Sequence, residues 1–292
     1  MSWLLYGILG AILAGASPLF AKSGMRKSNV YLAAAIRGTV LFLAAWFIVR
    51  LTGTSQSLSG IGQTSFLYLI FSGIATGAVW VCLLNALQTG EVIRVVPVIE
   101  ASLILDILVG IIFFKDGVDW IKIGILVLMI AGIVMVVIRS SGGRGGKRAW
   151  LGYALAAMVL TTVTTVLGRI GISGVNDNFE RLVRYGVALI IVWVVTFATG
   201  GYKGLRAMSF LDGIYLCLSG AVLGGAWYCF HIAYAYGANA TVAMVERFDM
   251  VAAVVLGCVF MRERLSVRAI FGLIFMMSGF LLLLVKLPVI PL

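Results

Sequence analysis

The sequence predicts an all-α integral membrane protein of ten transmembrane helices, arranged as two inverted five-helix repeats. Three observations carry that expectation. Hydrophobic residues make up 62% of the 292 residues and charged residues 11%, with a mean hydropathy of +1.11; soluble domains carry about 25% charged residues. The apolar residues fall in runs of about 20, the length a helix needs to cross a bilayer. The second half of the chain also repeats the first at a shift of 147 positions.

The expected spans are 3–21, 30–50, 66–87, 94–114, 120–139, 150–169, 180–199, 210–236, 239–261 and 268–287. The first opens at Trp3 with no preceding positive charge and no small-residue cleavage site, so it reads as a span and not a signal peptide. The runs end where the chain turns polar or glycine-rich, at KSGMRKSN (22–29), TGTSQSLSG (52–60), SSGGRGGKR (140–148) and ISGVNDNFE (172–180). They are too long for strands and lack the alternation of a barrel.

At the 147-residue shift Trp3 falls on Trp150, Arg37 on Arg184, Trp46 on Trp193, Trp80 on Trp227, Cys82 on Cys229 and Gly132 on Gly279. Shared apolar composition would match many Leu and Val residues, but not this many Trp, Arg and Gly at one offset. The repeats span 1–147 and 148–292. Five is an odd number of spans, so the second copy enters the membrane from the opposite side. Inverted repeats of this kind place a substrate site near the midplane, where the halves meet.

The net charge of +11 comes from 22 Lys+Arg against 11 Asp+Glu. Most cations lie in short loops or near span ends, where they anchor helices at the headgroups, and no basic cluster alternates with exposed aromatics, which argues against nucleic acid. Cys82, Cys217, Cys229 and Cys258 sit in apolar runs without metal-ligand spacing, so neither a disulfide framework nor a metal site is expected. No phosphate loop or hydrolase motif occurs. That argues against an ATP-driven pump or an enzyme, and no cofactor is called for.

Charged groups inside spans cost about 2.5–3.5 kcal/mol each on insertion scales and usually face a bundle interior or a wet cavity. The candidates are Arg37 and Arg184, Glu100 and Asp106, and Glu246, Arg247 and Asp249. Glu246 and Asp249 are i,i+3 neighbours and share one helix face, with Arg247 pointing about 100° away. The set reads as a polar substrate site lined by spans four and nine, or as structural ion pairing. Trp80 and Trp227 sit well inside spans three and eight, as helix packing or as cavity walls. His231 follows Trp227 by four residues and shares its face; an imidazole titrates near pH ~6.5, so it is a candidate for proton coupling or ligand binding, beside the alternative of a packing histidine. Asn85 stands near the matching place in the first half. The pairs Gly73/Gly77 and Gly220/Gly224 predict close helix packing.

Several stretches together resemble a known group. They are Arg37-Gly38, SGIATGAVWVCLLNALQTG (72–90) and IAGIVMVV (130–137) in the first half. In the second half they are SGAVLGGAWYCFHIAYAYG (219–237), ANATVAMVERFDM (238–250) and MRERLS (261–266). Each repeat resembles the EamA domain of the drug/metabolite transporter superfamily, and MRERLS is similar to its LGERLT turn. The second half keeps an acid–base pair, Glu246-Arg247, where the first has Ile99-Glu100. The resembling motifs are specific for fold and not for substrate; with the inverted repeats they lead to the expectation of a secondary transporter in the plasma or inner membrane, moving a small polar or amphipathic, amino-acid-like metabolite by alternating access. A flippase for a lipid-linked sugar or phospholipid-like substrate is the alternative. The expected partners are the small-molecule substrate and membrane lipids, and the fused halves predict a monomer. The resemblance implies cytoplasmic termini, whereas the Lys and Arg count in the loops places the central loop in the cytoplasm.

Overall fold

The structure is a computed structural model that describes residues 2–25, 28–57, 61–137, 149–172 and 174–286. The basic pair Arg26-Lys27 and the central loop with Arg139, Arg144, Lys147 and Arg148 lie outside the described residues.

Among the described residues the chain is helical throughout, with no strand. The first half forms α1 (Ser2–Ser23), α2 (Val30–Thr52), α3 (Gln63–Thr89), α4 (Val92–Glu100), α5 (Ser102–Phe113) and α6 (Trp120–Val137). The second forms α7 (Ala149–Gly171), α8 (Asp177–Ala198), a 3₁₀ turn (Gly201–Arg206), α9 (Phe210–Tyr236), α10 (Asn239–Glu246), α11 (Phe248–Phe260) and α12 (Val267–Lys286). Each helix of the second half starts 146 or 147 positions after its counterpart, and the local signals that bound the helices recur with it. Asn29 and Asn176 cap α2 and α8 by accepting from Tyr31 N and Asn178 N. Gly53 and Gly200 follow these helices in the left-handed region, at φ 64° and 69°. Lys115 and Arg262 share φ 54° in the turns after α5 and α11.

Eight stretches are long and apolar enough to cross a bilayer, Val92–Phe113 counting as one. Two of the ten expected spans are not among them. The ninth carries Glu246, Arg247 and Asp249 and is broken at Arg247, while the described apolar stretch of the tenth, Val267–Leu282, is shorter. The fourth span is broken in the same way at Ala101. Spans four and nine are thus pairs of short helices, contrary to the expectation of continuous ones. Arg247, at φ −66° and ψ −11°, separates the two acids, so Glu246 ends α10 and Asp249 lies in the first turn of α11.

The principal contacts between halves come in reciprocal pairs. α1 packs on α9 and α7 on α3; α2 packs on α9 and α8 on α3; α2 meets its own counterpart α8, and α6 meets α12. The glycine pairs act as expected. A Cβ on Gly73 would lie 2.9 Å from the Arg184 carbonyl oxygen of α8, and one on Gly220 would lie 2.9 Å from the Arg37 carbonyl oxygen of α2. Only glycine permits these backbones to approach so closely.

Candidate functional site

The two helix breaks meet through an ion pair between the halves. Glu100 ends α4 and Arg247 separates α10 from α11; they occupy the same place in the two halves, 147 residues apart, and Arg247 Nη1 donates to Glu100 Oε2 at 2.8 Å. Glu246 does not pair with its neighbour Arg247. It accepts from the Tyr234 hydroxyl of α9 at 3.0 Å.

Beside this ion pair lies a cavity of about 140 Å³. Its polar wall comprises Ser17 of α1, Arg37 of α2, Glu100 of α4 and Asp249 of α11. Leu83 and Leu223 are among its apolar walls. Arg37 is buried, and both its contacts are hydroxyls: Nε donates to Ser219 Oγ at 3.0 Å and Nη2 to Ser17 Oγ at 3.3 Å. The two serines also bond each other's backbones, Ser17 Oγ to Ser219 O at 2.9 Å and Ser219 Oγ to Ser17 O at 2.8 Å. A carboxylate oxygen of Asp249, Oδ1, is buried with no hydrogen-bond partner. Among the polar groups of the wall, Asp249 thus holds a fully buried acceptor without a partner.

The tryptophans stand next to the cavity and do not line it. Trp80 and Trp227 flank Tyr185 of α8, with ring centroids 5.3 and 5.0 Å away, and Arg181 lies 5.2 Å over the Trp227 ring. Tyr185 occupies the position of Gly38 in the first half, so a single ring on one side fills the space between two equivalent tryptophans. His231 is not at the cavity: its Nδ1 lies 3.2 Å from Nδ2 of Asn178, the second residue of α8. Asn85 donates to the Val81 carbonyl of its own helix. Arg184 pairs with Glu180 one turn earlier on α8. Asp106, on α5, keeps one buried oxygen without a partner.

The sequence profile of the EamA-like transporter family matches the chain twice, over residues 1–138 and 148–285. The chain belongs to the EamA-like transporter family. It is a multi-pass membrane protein, as the eight apolar helices require. Among curated relatives, an "uncharacterized transporter in cobO 3'region" of a Sinorhizobium species is 33% identical over 137 residues, which are 97% of that protein and 44% of this chain. A solved crystal structure shares the fold, with a TM-score of 0.62 at 14% identity over 96% of both chains.

Within this EamA-like transporter, sequence reasoning located Arg37, Glu100 and Asp249 at the cavity and Arg247 beside it. It overlooked Ser17, Ser219, Tyr185, Arg181 and Tyr234. Hydroxyl and aromatic side chains inside apolar helices look like packing. One signal was present: Glu100 and Arg247 are opposite charges at the same place in the repeat, where a two-fold axis between the halves would bring them together.

Proposed function

We propose that the protein is a secondary transporter that carries a small polar, amino-acid-like solute by alternating access, with the solute held in the cavity between α1, α2, α4 and α11. The observation that carries this reading is the unused Asp249 oxygen. A buried acceptor without a partner costs about 1–3 kcal/mol, a cost that a solute bearing an ammonium or other N–H donor relieves. Arg37, Glu100 and Arg247 each hold a protein partner at one polar atom or more and shape the wall, whereas the buried Asp249 oxygen holds none and selects the ligand. At roughly 30 Å³ per water, the cavity has room for about four or five waters, or a solute of similar size. Trp80, Tyr185 and Trp227 form an apolar support behind it.

The halves, 1–147 and 148–292, are read as inverted five-span units. The polar contacts at the helix ends support this. Lys22, at the end of span one, pairs with Glu263 after span nine and donates to the Gly90 carbonyl after span three. Arg169 after span six pairs with Asp116 after span four, and Asn176 N donates to Gln56 after span two. Odd-numbered span ends thus meet one another, and so do even-numbered ones, as ten crossings require. The reciprocal packing and the two family matches agree with a duplicated unit. The flippase reading asks for cations along a lateral opening, whereas the groove between α2 and α9 is lined by residues such as Leu43, Ala44, Trp46, Gly224 and Tyr228, with no charged side chain.

The test is uptake of a panel of radiolabelled amino acids and small amines into proteoliposomes. Saturable uptake of at least one member is expected, falling ten-fold or more in Asp249→Asn while the variant remains monodisperse and folded. Uptake of none, or an unchanged rate in Asp249→Asn, would contradict this reading.

A further inference from the structure

Arg37 of α2 and Arg184 of α8 are repeat counterparts in unlike states. Arg37 is clasped between Ser219 and Ser17. The positions matching Ser219 and Ser17 are Ser72 and Thr164, and the backbone frame around them is the same, since Gly73 packs on the Arg184 carbonyl as Gly220 packs on that of Arg37. Yet Arg184 does not take the equivalent place. It is held by Glu180, one turn away on its own helix, where the first half has Ala33. Two atoms are left over: the hydroxyl of Ser72, wholly buried, and Nε of Arg184, both without a hydrogen-bond partner. These are the counterparts of the two atoms that form the 3.0 Å bond of the closed clasp. Thr164 turns its hydroxyl to the Thr161 carbonyl of its own helix instead of across to α3.

We propose that Arg184 and Ser72 form a second, latent clasp, and that exchange between the Arg37–Ser219 and Arg184–Ser72 clasps reverses the side of the membrane to which the cavity opens. This rests on the transport reading given above. In a molecule built from two inverted copies, the opposite-facing state is reached when each copy adopts the other's local arrangement. In that state Arg184 leaves Glu180 and donates Nε–H to Ser72 Oγ, while Arg37 releases Ser219 and Ser17. Since α8 already packs against Ser72-Gly73, a rotation of the Arg184 side chain begins the change. Glu180 supplies the bias: it binds Arg184 only in the present state, so it shifts the population toward that state by its differential contact.

The test reads the facing of the cavity directly and needs no solute. Cys82, Cys217, Cys229 and Cys258 are replaced by serine, and cavity-lining Leu83→Cys is labelled with an impermeant thiol reagent from either face in right-side-out and inside-out vesicles. Glu180→Gln is expected to move the ratio of labelling between the two faces at least five-fold. Adding Ser72→Ala to Glu180→Gln should return the ratio to within two-fold of the parent. Ser219→Ala, which weakens the present clasp, should move it in the same direction as Glu180→Gln, and Ser72→Ala alone in the opposite direction or not at all. If Ser219→Ala moves the ratio and Glu180→Gln does not, or if Ser72→Ala fails to reverse Glu180→Gln, the latent clasp is wrong and alternating access stands. If no variant moves it, the clasp is wrong, while the transport reading stands or falls on the uptake test above. Should Glu180→Gln fail to fold, a Ser72→Ala variant that moves the ratio in the same direction as Ser219→Ala overturns the proposal.

Discussion

Asp249 and Arg247 lie two residues apart at one helix break and are satisfied differently. Arg247 has a charged partner in the other half, Glu100, at 2.8 Å, and its guanidinium also lies 5.7 Å from the Phe280 ring. Asp249 has an oxygen with no partner. The pair is expected to hold the halves in register and the aspartate to meet the solute. A double-mutant cycle separates pairing from mere charge. Glu100→Gln and Arg247→Gln should each lower stability by about 1–3 kcal/mol, the loss expected for a hydrogen bond to a charged group, and the double variant should lose less than the sum by ~1 kcal/mol or more. Thermal unfolding in detergent measures this, and additive losses would remove the pair from the account. At this scale the sequence disclosed the charged residues, because charge inside an apolar run stands out. It did not disclose their partners. Glu246 was expected beside Arg247 as an acid–base pair, but the break at Arg247 sends Glu246 to Tyr234 and Arg247 across to Glu100. Ser17, Ser219 and Tyr185 gave no sign, since small hydroxyls and single aromatic rings are ordinary packing residues in membrane helices.

At the scale of the element, the helix that matters most to the site is α4, only nine residues long and interrupted by Pro97, which donates no backbone hydrogen bond. A short helix of this kind depends on its ends. Its first turn is held by Glu263, whose carboxylate accepts from Val92 N at 3.1 Å and Ile93 N at 3.0 Å while pairing with Lys22 at 2.7 Å. The matching pair in the other half, Arg169 with Asp116, is more open, at 49% and 33% side-chain exposure against 24% and 7% for Lys22 and Glu263. Glu263→Ala is therefore expected to destabilise by ~2 kcal/mol, combining a lost helix cap with a lost charged contact. Asp116→Ala is expected to cost below about 1 kcal/mol, as exposed pairs do. Unfolding midpoints of the two variants check the order; equal losses would show that the two turns carry the same load. The MRERLS stretch announced this turn, and the long apolar runs of the spans were plain. The breaks were not: Glu100 beside one and Glu246, Arg247 and Asp249 at the other were read as site residues and not as helix ends.

For the whole molecule, the repeat at 147 was legible because tryptophan, arginine and glycine recur in register, and the structure follows it in helix starts, caps and turns. The exceptions are informative. Tyr185 against Gly38, Glu180 against Ala33, Arg247 against Glu100 and Asp249 against Ser102 are among the places where the copies differ, and they gather around the cavity and the two arginines. Identical halves would make a site with equivalent walls; these substitutions leave one acceptor, one stacked tyrosine and one closed clasp. The central claim is that the halves are inverted around that cavity. The turns at Lys115 and Arg262 are repeat counterparts with the same φ of 54°, and the proposed ten-crossing arrangement puts them on opposite faces of the membrane. The direct measurement is to place a single cysteine at position 115 or at position 262 in a cysteine-free protein and label right-side-out vesicles with an impermeant thiol reagent. One of the two should label and the other should label only after permeabilisation. Labelling of both from the same face would contradict the account.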